Sequence, residues 1–367
     1  MILIDMGAIE KKENTFNYKW TLKDANFTKD RGKVFSCFAC GGGSTMGYKL
    51  AGFDVIGCNE IDPRMNNTYV ANHNPKINLL MDIRQMVSKA KEKDLPKELY
   101  QLDVLDGSPP CSSFSIAGER QKGWGKEKKF REGQTSQILD TLFFDFIELA
   151  KYLQPKVVVA ENVKGMLIGE AKQYVLKIYN EFDKAGYYCQ HFLLNGSKMG
   201  LPQRRERVFF VCLRKDISEK FLYSKDFFTQ IPYIEMDFNE KEIPFKEIAD
   251  YKGRDMQKKL KEMYPNRKPD DKGFDDIALR MFGKASFFNE VFVKENEVVP
   301  TIRAKAELPL FSKPILMSNT EIIKASSFPL DYNFGKENVC YVCGMSVPPI
   351  MMAHVANNIY QQWLSKL

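Results

Sequence analysis

The chain has 367 residues, 44% of them hydrophobic and 28% charged, and a formal net charge of +7. That length suits two domains or one large domain with an insertion, and the composition is ordinary for a soluble globular protein. No uninterrupted run of about 18 apolar residues is read in it, so no membrane span is expected. The opening MILIDMGAIEKKENTF lacks the apolar core of a signal peptide. The eight cysteines therefore read as reduced cytosolic thiols. His73, His191 and His354 are scattered, which argues against a histidine-centred metal site or triad. The positive balance permits a polyanionic partner without proving one.

The first predicted strand is the apolar run 33–38, followed by FACGGGSTMG. Gly41, Gly42 and Gly43 allow a tight turn and close approach of backbone to a ligand. Ser44 can cap the next helix and Gly52 can end it. The second strand, 54–59, leads into Glu60, which stands 17 residues after Gly43. An acid there is placed to accept bonds from ribose hydroxyls. The glycine spacing is not G-x-G-x-x-G and no GK[ST] occurs, so a dinucleotide or nucleoside triphosphate is disfavoured. An uncharged adenosine ligand such as S-adenosylmethionine remains. Cys37-x-x-Cys40 and Cys340-x-x-Cys343 have zinc-like internal spacing, but the pairs lie about 300 residues apart. They read as buried thiols, and no metal is expected.

A strand at 102–105 runs into GSPPCSSFS. Pro109 and Pro110 stiffen the backbone before Cys111, and the small residues after it leave its sulfur accessible. A structural cysteine usually sits within an apolar element; this one is presented. Residues 118–133 carry Arg120, Lys122, Lys126, Lys128, Lys129 and Arg131 around Trp124. They read as a mobile cationic loop beside the thiol. Helical spacing follows at 141–152, a strand at 155–160, a helix at 172–185 and a strand at 207–213. Strands alternating with helices predict a parallel, doubly wound α/β sheet. Glu161 then falls at the carboxyl end of a strand, where such sheets place ligands. Arg205 and Arg207, two apart on a strand, should share a face.

The alternation stops near Arg214. Residues 216–300 hold 15 Lys or Arg against 18 Asp or Glu, so this region is not basic overall. Its local basic stretch, 251–268, suits a solvated helix face as well as a nucleic-acid contact. The final 348–367 reads as one amphipathic helix.

Six motifs in this order resemble the C5-cytosine DNA methyltransferases of unpermuted, bacterial or phage type. FACGGGSTMG resembles their cofactor loop, GSPPCSSFS their prolyl-cysteine motif, and AENVKGM their Glu-Asn-Val motif. GLPQRRERVFFV resembles their Gln-Arg-x-x-Arg motif, and SSFPLDYNF and GMSVPPIMMAHVA their last two. The resemblance implies a Rossmann-like, mostly parallel S-adenosylmethionine-dependent catalytic domain at 1–214 and 318–367. A target-recognition domain would occupy 215–317. It implies Cys111, Glu161, Arg205 and Arg207 as catalytic residues. It implies a cofactor site of Phe38, Ala39, Gly41, Gly42, Gly43, Glu60, Ile61, Asp82, Ile83, Pro110, Leu142, Ser346 and Val347. Ser112, Ser115, Lys122, Lys126, Asn162, Val163 and Gln203 would meet DNA or the target base.

The implied reaction moves a methyl group from S-adenosylmethionine to C5 of a flipped-out cytosine in double-stranded DNA, leaving S-adenosylhomocysteine. Cys111 would add to C6, Glu161 would hold N3 and the exocyclic amine, and Asn162 would fix the loop. A monomer is expected, cytoplasmic and on the nucleoid when bound to DNA, with a cognate restriction endonuclease as a candidate separate partner. Two positions depart from the family pattern. Cys40 stands where glycine is commoner, so the turn must tolerate a Cβ. Met345 replaces the asparagine of G-N-x-V. A tRNA methyltransferase of the same fold, an inactive DNA-binding protein and, more distantly, a nicotinamide-dependent oxidoreductase are the competing readings.

Overall fold

The computed structural model describes residues 13–110, 141–169, 171–224, 230–287 and 289–367, with the backbone of 127–128 and 137–138. The first four strands are β1 (Lys33–Cys37), β2 (Asp54–Glu60), β3 (Ile77–Leu80) and β4 (Val104–Gly107). A separate short pair, β5 (Glu127–Lys128) and β6 (Gln137–Ile138), comes next. Then follow β7 (Val157–Val163), β8 (Tyr187–Asn195) and β9 (Glu206–Arg214). Seven of these form one sheet in the order β3-β2-β1-β4-β7-β9-β8. The pairs from β3 to β7 are parallel, whereas β9 runs antiparallel to both β7 and β8. The sheet is thus mostly parallel with an antiparallel edge.

Period-two alternation builds a core on each face. Phe35, Leu105, Val158 and Phe210 point to one side. There they meet α3 (Ile83–Lys91), α4 (Leu142–Leu153) and α5 (Ala171–Lys184) through Met86, Phe146 and Ile178. Val34, Val104, Val157 and Phe209 point the other way, toward α1 (Gly43–Leu50) and α10 (Pro349–Gln362) through Tyr48, Met352 and Val355. Helices on both faces leave every central strand buried, and each such side chain stabilises by roughly 1.5–3 kcal/mol. Gly47 is needed where α1 crosses α10, because a Cβ there would sit 2.4 Å from the Pro349 carbonyl oxygen.

The region after β9 carries α6 (Lys258–Met263) and α7 (Phe274–Phe282), which close a small core with Phe292 and Leu316. Ile243, Phe245, Val299 and Leu310 join a different cluster, shared with α8 (Asn319–Ala325) and α9 (Val339–Met345). The segment Val339–Lys366 is apolar and long enough by composition to cross a membrane, yet 78% of that window is buried inside the protein. It is a core element, broken by Ser346, Pro348 and His354 rather than one uninterrupted apolar run. It is also not one helix: α9 ends at Met345 and α10 starts at Pro349.

Candidate functional site

The carboxyl ends of β1, β2 and β4 open onto one cleft of about 750 Å³, part of it open to solvent. The chain leaves β1 through a turn with three left-handed residues, Phe38 (φ 52°), Cys40 (φ 47°) and Gly42 (φ 77°). Cys40 thus does adopt a glycine-like conformation with a Cβ in place. Its N–H donates to Glu60 Oε2 at 2.7 Å. Glu60 Oε1 accepts from the N–H groups of Ile61 (2.8 Å) and Asp62 (2.9 Å). Burial pushes the Glu60 carboxyl above its ordinary value, and those three amides pull against it.

Phe38, Glu60, Ile61, Asp82, Ile83, Pro110 and Leu142, all expected from sequence, line this cleft. Asp82 also caps α3, with Oδ1 accepting from Arg84 N at 2.8 Å. Ala39, Gly41, Gly42, Gly43, Ser346 and Val347 are not among the lining residues. The glycines also meet a packing requirement. A Cβ on Gly41 would lie 2.3 Å from Val342 Cγ1, on Gly42 2.1 Å from His73 Nε2, and on Gly43 2.2 Å from the Val347 carbonyl oxygen. Protein atoms fill the space that their missing side chains leave. Asn59, Met65, Met81, Ser108, Tyr341 and Met345 also line the cleft. Of these, Ser108 belongs to GSPPCSSFS and Met345 departs from the last motif, and the other four carried no sequence signal.

Beside the cleft, Glu161 stands near the carboxyl end of β7 and is 8% exposed. Arg207 Nε donates to its Oε1 at 2.9 Å. The antiparallel register that sets Arg207 opposite Val163 makes this pair. Burial lowers the pKa of Arg207, and the Glu161 carboxylate opposes that. Asn162 Nδ2 donates to the Pro109 carbonyl at 3.1 Å, and its Oδ1 accepts from Val163 N at 2.8 Å. The end of β7 therefore holds the prolines that precede Cys111. Cys111 itself, with Ser112, Ser115, Lys122, Lys126 and all of loop 118–133 except 127–128, lies outside the described residues.

Arg205 does not share a strand face with Arg207, because β9 begins at Glu206. Its guanidinium is buried and donates to the carbonyls of Ile302 (3.0 Å), Gly344 (3.0 Å) and Ser346 (2.9 Å). Gln203 acts alongside it: Nε2 donates to the Ala325 carbonyl at 3.2 Å and Oε1 accepts from Ile302 N at 3.1 Å. Both residues tie four chain segments together, and Arg205 lies close enough to Arg207 and Glu161 to feel their charges.

Asp106 was not singled out by the sequence. It is 1% exposed on β4, and its Oδ2 accepts from Ser36 Oγ (2.8 Å) and Ser44 Oγ (2.6 Å). Its Oδ1 and the nearby Tyr48 hydroxyl are buried and, among the described residues, make no hydrogen bond of good geometry. Burial raises its pKa from 3.8 to about 6. The native state then binds the proton more tightly than the unfolded chain does. Stability from this group is full below about pH 4 and is lost as pH rises through about 6, a penalty of about 3 kcal/mol. Asparagine keeps an acceptor for both serines and offers an N–H toward Tyr48. Asp106→Asn should therefore raise the melting temperature at about pH 8 and leave it nearly unchanged at about pH 4.5. An equal shift at both pH values would refute the charge penalty.

The doubly wound sheet and the cleft at its carboxyl edge define an α/β protein of the Rossmann-like, S-adenosylmethionine-dependent methyltransferase fold. The family model for C-5 cytosine-specific DNA methylases matches residues 32–361, and the chain belongs to that family. The Type II methyltransferase M.FnuDI of Fusobacterium nucleatum is 38% identical over 186 residues, 51% of this chain and 48% of that protein. M.NgoPII of Neisseria gonorrhoeae is 38% identical over 194 residues, 53% of this chain and 51% of its own. The chain thus spans about half the length of the curated relatives it matches. Among solved structures, Spodoptera frugiperda DNMT2 superposes with a TM-score of 0.58 at 16% identity, covering 89% of this chain and 99% of its own. The Dnmt2 methyltransferase of S. pombe gives 0.55 at 15% identity, covering 90% and 98%. At those identities the likeness concerns the fold.

Proposed function

We propose that the protein methylates C5 of cytosine in double-stranded DNA, with S-adenosylmethionine as donor and Cys111 as nucleophile. The observation that carries this reading is the Glu161–Arg207 pair at the end of β7, next to the Asn162–Pro109 bond that fixes the approach to Cys111. C5 of cytosine is a poor nucleophile. A thiolate adding to C6 turns the ring into an enamine whose C5 can attack an electrophilic carbon. Glu161, oriented by Arg207, holds N3 and the exocyclic amine and stabilises the charge that develops on the ring. A stacked base hides C6, so the base must leave the duplex, at roughly a few kcal/mol.

The cleft residues fit an adenosine-bearing sulfonium. Glu60 spends its carboxylate on three backbone amides, and a carboxylate has about four acceptor positions, so it retains capacity for a ribose hydroxyl. Phe38 offers an aromatic face and Asp82 an acceptor for an exocyclic amine. When bound, S-adenosylmethionine supplies the activated methyl group. Residues 215–317 serve as the target-recognition domain, and the lysines of 118–133 contact phosphates, which carry little sequence information. The first test is bisulfite sequencing of DNA from cells expressing the protein. Converted cytosines at every site, or 5-methylcytosine only in RNA, would overturn the DNA assignment. Glu60→Ala should weaken S-adenosylmethionine about 10- to 100-fold in calorimetry, as expected for a lost hydrogen bond to a charged group. Unchanged affinity would remove Glu60 from the cofactor site.

A further inference from the structure

The glycine loop is held from two sides. Glu60 grips it from the cleft through the Cys40 N–H. On its far side lies a row of groups that the proposed reaction does not use. The Tyr332 hydroxyl bonds the Gly41 carbonyl. Tyr332 Oη also lies 3.1 Å from His73 Nε2, and His73 Nδ1 lies 3.3 Å from Lys49 Nζ. His73 is 8% and Tyr332 6% exposed. The imidazole stacks on Tyr69, with 4.2 Å between centroids and 27° between planes.

Elementary hydrogen-bond chemistry fixes the direction of this row. A carbonyl only accepts, so the Tyr332 O–H donates to Gly41. The phenolic oxygen then accepts from His73 Nε2–H. The same neutral tautomer leaves a lone pair on Nδ1, which accepts from the Lys49 ammonium, a group that only donates. All three bonds point the same way, from Lys49 toward the loop. Burial and the Lys49 charge hold the His73 pKa well below its usual range, in keeping with a neutral ring.

The peptide at the end of this row is pinned twice. Gly41 supplies its carbonyl to Tyr332, and the N–H of the same peptide, from Gly42, bonds the Ala39 carbonyl at 2.8 Å. That second bond closes the turn that carries Cys40 into the cleft wall. The loop rests directly on the imidazole, since a Cβ on Gly42 would meet His73 Nε2 at 2.1 Å.

We propose that Lys49, His73 and Tyr332 form a directed hydrogen-bond relay that sets the glycine loop for the methyl donor, making them positioning residues for the cofactor rather than for the base. The proposal rests on the reading that the cleft takes S-adenosylmethionine. The test measures S-adenosylmethionine affinity by calorimetry, and kcat and KM for DNA at saturating donor, for the full chain. Tyr332→Phe and His73→Ala should each weaken the donor about tenfold, with kcat and the KM for DNA near wild type. The double variant should be no weaker than either single one, because both break the same row. His73→Gln, which restores an N–H near Nε2, should recover most of the affinity.

A readout independent of the donor is the ¹⁵N spectrum of His73, one of only three histidines. The Nε2–H tautomer is expected, and the Nδ1–H tautomer would overturn the relay. Unchanged donor affinity in Tyr332→Phe, or losses spread equally over kcat and the KM for DNA, would overturn it as well. A wild-type protein that binds no S-adenosylmethionine would instead bring down the cofactor reading, and the relay's purpose with it.

Discussion

Arg205→Ala is expected to leave little folded protein at physiological temperature. The residue is 2% exposed and its guanidinium makes three hydrogen bonds to carbonyls of two separate segments, Ile302 in one and Gly344 and Ser346 in the other. Truncation strands all three acceptors in a dry place, at about 1–3 kcal/mol each, and opens a cavity as well. The loss is on the order of 5 kcal/mol, which rivals the total stability of a typical domain. In a protein of this size it corresponds to a drop in melting temperature of roughly 10–20 °C. Lysine keeps the charge but not the planar fork that reaches two elements at once, so Arg205→Lys should recover only part of it. Arg207→Ala is the contrast. It releases Glu161 at the edge of the site, so activity should fall while the melting temperature stays within a few degrees. Thermal denaturation of the three variants separates the roles. An Arg205→Ala protein that melts like wild type but no longer binds DNA would refute this structural role and favour Arg205 as a nucleotide contact.

That contrast shows what a sequence can and cannot reveal. Spacing makes Arg205 and Arg207 equivalent if the strand covers both. The strand starts one residue later, at Glu206, so the two guanidiniums enter different surroundings. The partners of Arg205 lie 97 to 141 positions away, and no local pattern announces them. Glu161 was legible because a short apolar strand run leads directly into an acid. Glu60 was legible for the same reason, and Asn59, beside it in the cleft wall, was not, since an asparagine at a strand end has many uses. The glycines were legible as a turn but not as a packing requirement: what fills the Cβ positions comes from Val342, His73 and Val347, distant in sequence.

The fold was legible where both faces of a strand are buried. Runs such as Val157–Ala160 are continuously apolar, as central strands must be. β8 is different. It is the last strand of the sheet, and most of its residues are only half-buried. Tyr187–Asn195, YYCQHFLLN, therefore mixes polar and apolar residues without clean alternation, and the antiparallel edge went unread. Asp106 escaped for a related reason. A lone acid within an apolar strand looks like a strand end, and only the structure brings Ser36 and Ser44 to its carboxylate.

Cys111→Ser should abolish methyl transfer while leaving the donor affinity within about twofold of wild type, because the proposed reaction uses Cys111 on the base and not on the donor's adenosine. A cysteine is a few per cent thiolate at neutral pH and intrinsically very nucleophilic. A serine hydroxyl needs a base to remove its proton, and Glu161 is committed to Arg207 and, in the proposed reaction, to N3 of cytosine. The variant therefore has no comparable way to add to C6, and C5 stays unreactive. Two measurements bear on this. Transfer of labelled methyl groups to DNA should fall to background in Cys111→Ser while calorimetry still shows donor binding. DNA carrying fluorine at C5 of the target cytosine should trap wild-type protein as a covalent adduct, since release requires C5 to lose a proton that fluorine replaces. Cys111→Ser should form no such adduct. Near-wild-type turnover in the variant, or a trapped adduct that maps to another residue, would rule out Cys111 as the nucleophile while leaving the Glu161–Arg207 pair and the cleft as they stand.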